Sequence, residues 1–363
     1  MFLSKDTPLV AVDIGSYSVK LAQLNLKKNK PELLSFGLLP LEQECLVDGS
    51  IQKPDEVIEA IGRLLKAEKI ESKFAVSSLA SEAVITKRIK VPEMSREELE
   101  ERINEEAEQY IPFDIDDVSL SFQILGPAEM DLPDEEGAEA EDQGPKMEIL
   151  LVAVQREIID NRIDVLSDAG LKPVIMDLDV FATVNAANLI SSVDEFDSVA
   201  LIDLGDSFTH LNILSNGVTA VTRDIPIGGG QCAQKLISKF DLPFKEATRV
   251  KLGALPSGIE TEEVLDIIRR SFEKITAELV KTFEYYQNTQ SLAIERIILC
   301  GGGAMIPGVD HLFMNQFKTP VEIMDPLSAI KYNPKNFEIE TMRAVAPLTA
   351  VALGLATRRF DYK

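Results

Sequence analysis

The chain has 363 residues, with no tryptophan and only two histidines, His210 and His311. Its three cysteines, Cys45, Cys232 and Cys300, form no Cys-x-x-Cys pair, which is typical of reduced, buried thiols in a cytosolic protein. The sequence also lacks a His-Glu-x-x-His segment and a Ser-His-Asp arrangement. Neither zinc-dependent hydrolysis nor triad catalysis is therefore expected.

Basic residues are scarce as well. The chain has 37 Lys and Arg against 60 Asp and Glu, a formal net charge of −23. This excess of negative charge argues against nucleic-acid binding and against unaided docking on anionic lipid. The N-terminus contains no apolar signal core, and no run approaches the roughly 20 apolar residues that span a bilayer. We expect a cytoplasmic protein without direct membrane insertion, which reaches a membrane only through a partner.

What the chain does contain is a short pattern that occurs twice, about half the chain apart. Residues 10–16 and 199–206 each form an apolar run that ends in Asp-x-Gly and is followed by a second strand-like run. A third apolar run, 297–300, leads into three consecutive glycines. Glycine lets backbone N–H groups approach an anion closely, and successive amides form an anion-binding nest. The repeat predicts a polyanion held in a cleft between two similar halves.

The side chains around these turns suggest how phosphate is held. Asp13 and Asp203 would repel phosphate unless they hold a Mg²⁺ ion, partly through water. Ser16 and Ser18 can add hydroxyl donors, and Lys20, seven residues beyond Asp13, can return along the hairpin to a phosphate. A P-loop is excluded, because the sequence has no G-x-x-x-x-G-K-[ST] segment. A single Asp-x-Gly turn is as often an ordinary strand end, so the prediction rests on the repetition.

Periodicity divides the chain into two α/β lobes, each with an insert. The predicted segments are, in chain order, a first lobe (1–82 and 173–197) interrupted by an α+β insert (83–172) with an acidic loop (127–146), a second lobe (198–230 and 292–345) interrupted by a helical insert (231–291), and a closing helix (346–363). Two local signals are specific. Ser95 and Glu98 form a capping-box pattern that opens a helix, and Asn216-Gly217 indicates a hairpin turn.

This constellation resembles the actin-like ATPase superfamily over nearly the whole chain. Residues 13–20 are similar to its first phosphate loop, residues 203–209 to its second, and residues 299–304 to its adenosine segment. The resemblance implies an α/β fold of two RNase H-like lobes that close around ATP and Mg²⁺, with an FtsA-type insert in the first lobe.

Within the superfamily, the sequence resembles the PilM family of type IV pilus assembly, in the FtsA-like branch. The similar stretches are residues 89–94, 106–113, 170–173, 227–230 and 352–358. The Gln-Tyr-Ile-Pro-Phe segment at 109–113 is the most specific, and is similar to the small subdomain of FtsA-type proteins. FtsA adds a C-terminal membrane helix, and none is expected here.

The resemblance also implies roles for single residues. Those implied to contact phosphate or ribose are Gly15, Ser16, Tyr17, Ser18, Lys20, Gly205, Asp206, Ser207, Gly228, Gly229 and Gly230. Those implied to pack on adenosine are Gly302, Gly303 and Ala304. Asp13 and Asp203 are implied to position Mg²⁺ and the attacking water. Glu246 and Lys251 are candidates for ribose or adenine, although an exposed charged helix face explains them equally well.

The crossover between the lobes offers Asp177 and Asp179, where actins present an amide. Either carboxylate can orient water or cap the next helix; Asp179 is the candidate catalytic residue alongside Asp203. Nucleotide binding is therefore better supported than turnover.

The function implied by the resemblance is that of an ATP-binding adaptor at the inner face of the bacterial inner membrane. The implied partners are the cytoplasmic N-terminal tail of PilN and other proteins of the pilus platform. Two alternatives remain: a filament protein of the FtsA or MreB type, which self-associates, and a sugar or acetate kinase on the same fold.

Overall fold

The structure is a computed structural model that describes residues 9–26, 30–80, 84–128, 144–190 and 193–359. It divides into two compact units, one made of Met1–Ser81 and Asn161–Lys363 and the other of Glu82–Asp160. Most of the expected acidic loop, residues 129–143, lies outside the described residues.

The described chain alternates between strands and helices. The strands are β1 (Val10–Ile14), β2 (Ser18–Asn25), β3 (Glu32–Pro40), β4 (Leu46–Val47), β5 (Ser50–Ile51), β6 (Phe74–Leu79), β7 (Val84–Pro92), β8 (Val118–Pro127), β9 (Lys146–Gln155), β10 (Lys172–Leu178), β11 (Ser198–Leu204), β12 (Thr209–Ser215), β13 (Val218–Ile225), β14 (Arg296–Cys300) and β15 (Val321–Ile323). The helices are α1 (Pro54–Ala67), α2 (Arg96–Glu108), α3 (Arg156–Asp168), α4 (Asp179–Ile190), α5 (Gly230–Phe240), α6 (Phe244–Lys251), α7 (Thr261–Gln290), α8 (Val309–Phe317), α9 (Ile339–Val345) and α10 (Ala350–Ala356).

The larger unit contains two five-stranded sheets built on one plan. Their strand orders are β10-β6-β1-β2-β3 and β13-β12-β11-β14-β15. In each sheet three consecutive strands pair antiparallel. A later strand pairs parallel with the first of the three, and one more strand pairs parallel with that later strand. The turn between β12 and β13 is the predicted one, since Asn216 (φ 48°) and Gly217 (φ 76°) adopt the left-handed conformation of a tight hairpin.

Both faces of the first sheet are buried, because successive strand residues point to opposite sides. Val10, Val12 and Leu21 pack on one side with α1 and α3. Ala11 and Ala22 pack on the other side with α10. The β1 turn therefore emerges from a rigid strand that is enclosed by helices.

The second sheet is enclosed in the same way. Ile202 and Leu299 pack in one cluster with α5, α6, α7 and α8. On the opposite face, Leu201 packs with Ala186 and Ala187 of α4. Because Ala182 of the same helix belongs to the core of the first sheet, α4 packs against both sheets.

Helix α4 also crosses α10 at very close range. A Cβ on Gly354 would overlap the carbonyl oxygen of Ala182, so only glycine allows this approach. By length and composition alone, Ile339–Ala356 could span a bilayer, whereas the apolar runs of the sequence predict no such segment. That segment is 61% buried inside the structure, and its α10 portion belongs to the core of the first lobe.

The smaller unit has its own core. Its three strands are ordered β7-β9-β8, and α2 packs Leu99, Ile103 and Ala107 in one cluster with this sheet. The predicted capping box is present, since the Ser95 hydroxyl accepts from the Glu98 amide and the Glu98 carboxylate accepts from the Ser95 amide.

The smaller unit ends at Asp160, twelve residues before the end that was expected for the insert. The physical reason is that Val165 and Leu166 of α3 pack with β1 and β2 in the larger unit. Helix α3 thus begins in one unit and ends in the other.

Candidate functional site

The two Asp-x-Gly turns line one cavity of the larger unit. The expected residues that line it are Asp13, Gly15, Ser16, Tyr17, Ser18, Lys20, Asp179, Asp203, Gly205, Asp206, Gly229, Lys251, Gly302 and Gly303. They come from both sheets, and the first turn of α10 (Ala350 and Val351) contributes to the same wall.

The first turn is built around a buried ion pair. The β1–β2 register sets Asp13 opposite Lys20, and the Lys20 Nζ donates to the Asp13 Oδ2 at 2.8 Å. The Gly15 amide donates to the Ser18 carbonyl at 3.1 Å, which closes the turn. Burial alone would lower the pKa of Lys20. The contact with Asp13 and the charges of Asp203 and Asp179 raise the pKa by more than burial lowers it, so the ammonium stays charged.

The second turn has histidine where the first has lysine. The β11–β12 register sets Asp203 opposite His210, and the His210 Nδ1 lies 2.7 Å from the Asp224 Oδ1. Burial lowers the pKa of His210, but the bond to Asp224 and the charges of Asp203 and Asp179 outweigh it and raise the pKa to about 9. Burial raises the pKa of Asp203. The charge of the His210 imidazolium opposes this shift and so stabilises the ionised carboxylate.

Glycines from two other segments pack against the second turn. The Gly229 and Gly230 amides donate to the carbonyls of Gly205 and Asp206, each at 2.8 Å. Gly301, at φ 80°, lies so close that a Cβ there would overlap the Asp203 carboxylate. Gly301 therefore requires glycine, and with Gly229 and Gly230 it forms a narrow cradle of backbone.

Lys251 reaches this cradle from α6. Its Nζ donates to the Gly229 carbonyl at 3.2 Å and lies 3.7 Å from the Asp206 Oδ1. Only 7% of the residue is exposed, so its ammonium is a buried charge at the cavity wall.

The structure separates the two crossover carboxylates. Asp179 lines the cavity, and burial, followed by repulsion from Asp13, raises its pKa to about 6. Asp177 instead accepts from the Arg358 Nε at 2.6 Å and from the Leu178 amide, which ties the crossover strand to the segment after α10. Of the two, Asp179 has the position and the pKa of an acid–base group.

Some expected residues lie elsewhere. Ser207, Gly228 and Gly230 line an adjoining cavity that shares Ser16, Tyr17 and Asp206 with the main one. Ala304 is buried beneath the glycine turn, and Glu246 is exposed on α6; neither is among the residues lining the two cavities.

Sequence reasoning missed two cavity cations, His210 and Arg162. His210 had a usable signal, since it follows Asp203 by the same seven residues that separate Lys20 from Asp13. Arg162 had none, because only the packing of α3 brings it to the cavity. The short β4–β5 hairpin, which contributes Leu46 and Gly49 to the lining, was also unexpected.

The duplicated sheets and the cavity with its paired acid–glycine turns define an actin-like ATPase fold. Spiroplasma citri MreB5 bound to ADP has this fold, with a TM-score of 0.53 and 15% identity over 97% of this chain and 95% of that one. The Bacillus subtilis cell division protein FtsA is 24% identical over 359 residues, which cover 87% of this chain and 78% of FtsA.

The chain belongs to the family of the type IV pilus assembly protein PilM, whose sequence profile matches residues 11–360. A solved PilM–PilN type IV pilus biogenesis complex contains a chain of the same fold, with a TM-score of 0.82 and 28% identity over 97% of this chain and 98% of that one. The resemblance inferred from the sequence is thus confirmed.

Proposed function

We propose that the protein is a nucleotide-dependent adaptor of the type IV pilus assembly platform. In this proposal it binds ATP with Mg²⁺ in the cavity of the larger unit. It also binds the cytoplasmic N-terminal tail of PilN, which holds it at the inner face of the inner membrane. The observation that carries the proposal is the convergence of two Asp-x-Gly turns and a glycine turn on one cavity, in a member of the PilM family.

The lining of the cavity fits the phosphates of a nucleotide. The turns at Gly15 and Gly205 offer backbone amides, and Ser16 and Ser18 add hydroxyl donors. Lys20 and Lys251 supply positive charge from buried positions. The glycine turn at 301–303 lines the cavity without side chains, which leaves space for adenosine.

The carboxylates fit a divalent cation. Burial raises the pKa of Asp203 and of Asp179, and repulsion from Asp13 adds to both, so a bound cation would relieve this repulsion. Within the described ranges, no three His, Cys, Asp or Glu side chains are grouped closely enough to hold a metal alone. Asp13 and Asp203 would therefore hold Mg²⁺ together with water and nucleotide phosphates.

Hydrolysis, where it occurs, depends on Asp179 and Asp203 in this proposal. With a pKa of about 6, Asp179 is largely ionised at neutral pH, yet basic enough to accept a proton from water. Asp203 would orient that water from the opposite lobe.

Nucleotide binding is tested by titrating the protein with ATP and Mg²⁺ in a calorimeter. Lys251→Met removes a buried cavity cation and is expected to weaken ATP binding about tenfold, as loss of one charge-assisted hydrogen bond does. Lys245→Met, the same substitution at an exposed position of the same helix, is the matched control and should leave the affinity unchanged. Failure of the unmodified protein to bind ATP would overturn the proposal.

Partner binding is tested with a synthetic peptide of the N-terminal tail of the cognate PilN, against a scrambled peptide of equal composition. Saturable binding is expected for the native order alone. In the smaller unit the edge strands β7 and β8 can accept an extended peptide by strand addition. Cross-linked peptide is therefore expected on Glu82–Asp160 rather than on α5–α7, and equal binding of the scrambled peptide would contradict the adaptor role.

A filament-forming role is the second candidate, favoured by the similarity to FtsA over 87% of the chain. ATP-dependent sedimentation of the purified protein, with filaments in electron micrographs, would support it. A protein that binds the PilN tail and stays in the supernatant with ATP supports the adaptor role instead.

A further inference from the structure

Among the cavity cations, Arg162 has no role in the proposed function. Arg162, on α3, lines the cavity with only 4% of its surface exposed. Its Nη1 donates to the Ile14 carbonyl at 3.3 Å, so the guanidinium is fixed beside the backbone that enters the first phosphate turn.

The other cations of the cavity each have a carboxylate partner within 4 Å. Lys20 pairs with Asp13 at 2.8 Å, His210 with Asp224 at 2.7 Å, and Lys251 with Asp206 at 3.7 Å. For Arg162 the described part of the chain supplies no carboxylate oxygen within the 4.0 Å of a salt bridge. Its one hydrogen bond there is the one to Ile14.

A guanidinium in this state is costly to the fold. A buried charge without a paired, hydrogen-bonded counterion is destabilising, and a single carbonyl satisfies one of its five N–H donors. Burial accordingly lowers the pKa of Arg162, and the negative charges of Asp179 and Asp13 only partly oppose this. The remaining donors suit a planar, bidentate contact with a phosphate.

We propose that Arg162 binds the terminal phosphate of the nucleotide and so distinguishes the triphosphate from the diphosphate. This inference rests on the proposed nucleotide site. Arg162 lines the same cavity as Asp13 and Asp179, and its Nη1 contacts the carbonyl of Ile14, the residue after Asp13. In the proposed function Asp13 holds the Mg²⁺ ion on the phosphates and Asp179 accepts the proton of the attacking water, so a cation in this part of the cavity lies at the terminal end of the phosphate chain.

The position of Arg162 along the chain suggests a consequence. Helix α3 begins in the unit Glu82–Asp160 and carries Arg162 just inside the larger unit. A contact between Arg162 and the terminal phosphate therefore acts on the helix that is continuous with the insert. Through it, the identity of the nucleotide can be reported to the part of the protein proposed to bind PilN.

The test compares three ligands, each with Mg²⁺: ADP, ADP with beryllium fluoride as a mimic of the terminal phosphate, and a non-hydrolysable ATP analogue. Arg162→Gln should bind ADP within about threefold of the unmodified protein, and bind the other two about ten- to a hundredfold more weakly. Arg162→Lys keeps the positive charge but loses the planar pair of donors. Its affinity for the last two ligands should lie between those of Arg162→Gln and the unmodified protein. Arg63→Gln, which changes the same charge on the exposed face of α1, should match the unmodified protein.

Thermal unfolding of the nucleotide-free proteins separates binding from a structural role. Since an uncompensated buried charge is removed, Arg162→Gln should unfold at the same temperature as the unmodified protein or higher. Equal weakening of ADP and ATP-analogue binding, or no weakening of either, would overturn the role of Arg162. If the unmodified protein binds no nucleotide, the proposed function fails, whatever Arg162 does.

Discussion

The two Asp-x-Gly turns share one sequence pattern, yet the protein stabilises their acids by different means. In each lobe the residue opposite the aspartate across the hairpin, seven positions later, is a cation. In the first lobe this residue is Lys20, which contacts Asp13 directly at 2.8 Å. In the second it is His210, which is held by Asp224 on the next strand.

The backbone around the two turns differs as well. A Cβ on Gly15 would meet its nearest neighbour at 3.6 Å, an ordinary contact. A Cβ at the equivalent Gly205 would lie 2.8 Å from the Phe208 carbonyl oxygen, and the supporting Gly301 has no space at all. In the first lobe Asp13 is thus stabilised by a direct ion pair in a loosely packed turn. In the second lobe Asp203 lies in a closely packed turn.

The two copies of one sequence motif are thus stabilised by different interactions. A lysine pair persists across the physiological pH range, whereas a histidine pair is lost at alkaline pH. A loosely packed turn tolerates a side chain, whereas a closely packed one does not. The stability of nucleotide-free variants should reveal this asymmetry between the two turns.

The largest effect is expected from Gly301→Ala. The added Cβ would overlap the Asp203 carboxylate at a residue whose φ of 80° already disfavours alanine. We expect a loss of about 4 kcal/mol or more in the free energy of unfolding, measured by urea titration. Gly302→Ala is the control, since its Cβ would meet only the Leu348 side chain at 3.4 Å. Similar losses in both variants would show that the second turn is not packed as described.

Lys20→Met should be next in size. It removes one partner of a buried ion pair and leaves the Asp13 carboxylate without its cation, which costs about 3 kcal/mol in comparable cases. Urea titration at pH 7 measures the loss. Lys20→Met combined with Asp13→Asn removes both charges and should recover most of the stability. If the double variant is no more stable than the single one, the first turn does not depend on this pair.

Much of this site could be predicted from the sequence because its residues lie at fixed offsets along hairpins. The Asp-x-Gly turns, the third glycine turn and Lys20 all follow from strand ends and register. His210 was missed, although it follows Asp203 by the same seven residues that separate Lys20 from Asp13.

Other parts depend on packing that no local pattern encodes. Arg162 enters the cavity only because α3 packs on the first sheet. Asp177 and Asp179 are two residues apart, and only the end of β10 at Leu178 decides which one faces the cavity. Glu246 and Lys251 are five residues apart on α6, about 140° around the helix, and of the two only Lys251 lines the cavity.

The third prediction concerns pH. The folded state raises the pKa of His210 from 6.5 to about 9, so its pairing stabilises the fold fully below pH 6.5 and is lost as the pH rises through 9. We expect the free energy of unfolding to fall by about 2–3 kcal/mol across that window, measured by urea titration at several pH values. His210→Asn should have a flatter profile there. Equal slopes for the two proteins would mean that the second lobe does not depend on an imidazolium.

The smallest effects should come from the equivalent pair Gly205→Ala and Gly15→Ala. Neither residue has a positive φ, so the two substitutions differ mainly in the space around the added methyl group. Gly205→Ala must displace the Phe208 carbonyl and should cost about 1–2 kcal/mol, in the range of an overpacked interior. Gly15→Ala should be neutral or stabilise by about 0.5 kcal/mol, because alanine restricts the unfolded chain. Urea titrations of the two variants side by side measure both changes. A larger loss of stability in Gly15→Ala would contradict the asymmetry, because it would show that the first turn is as closely packed as the second.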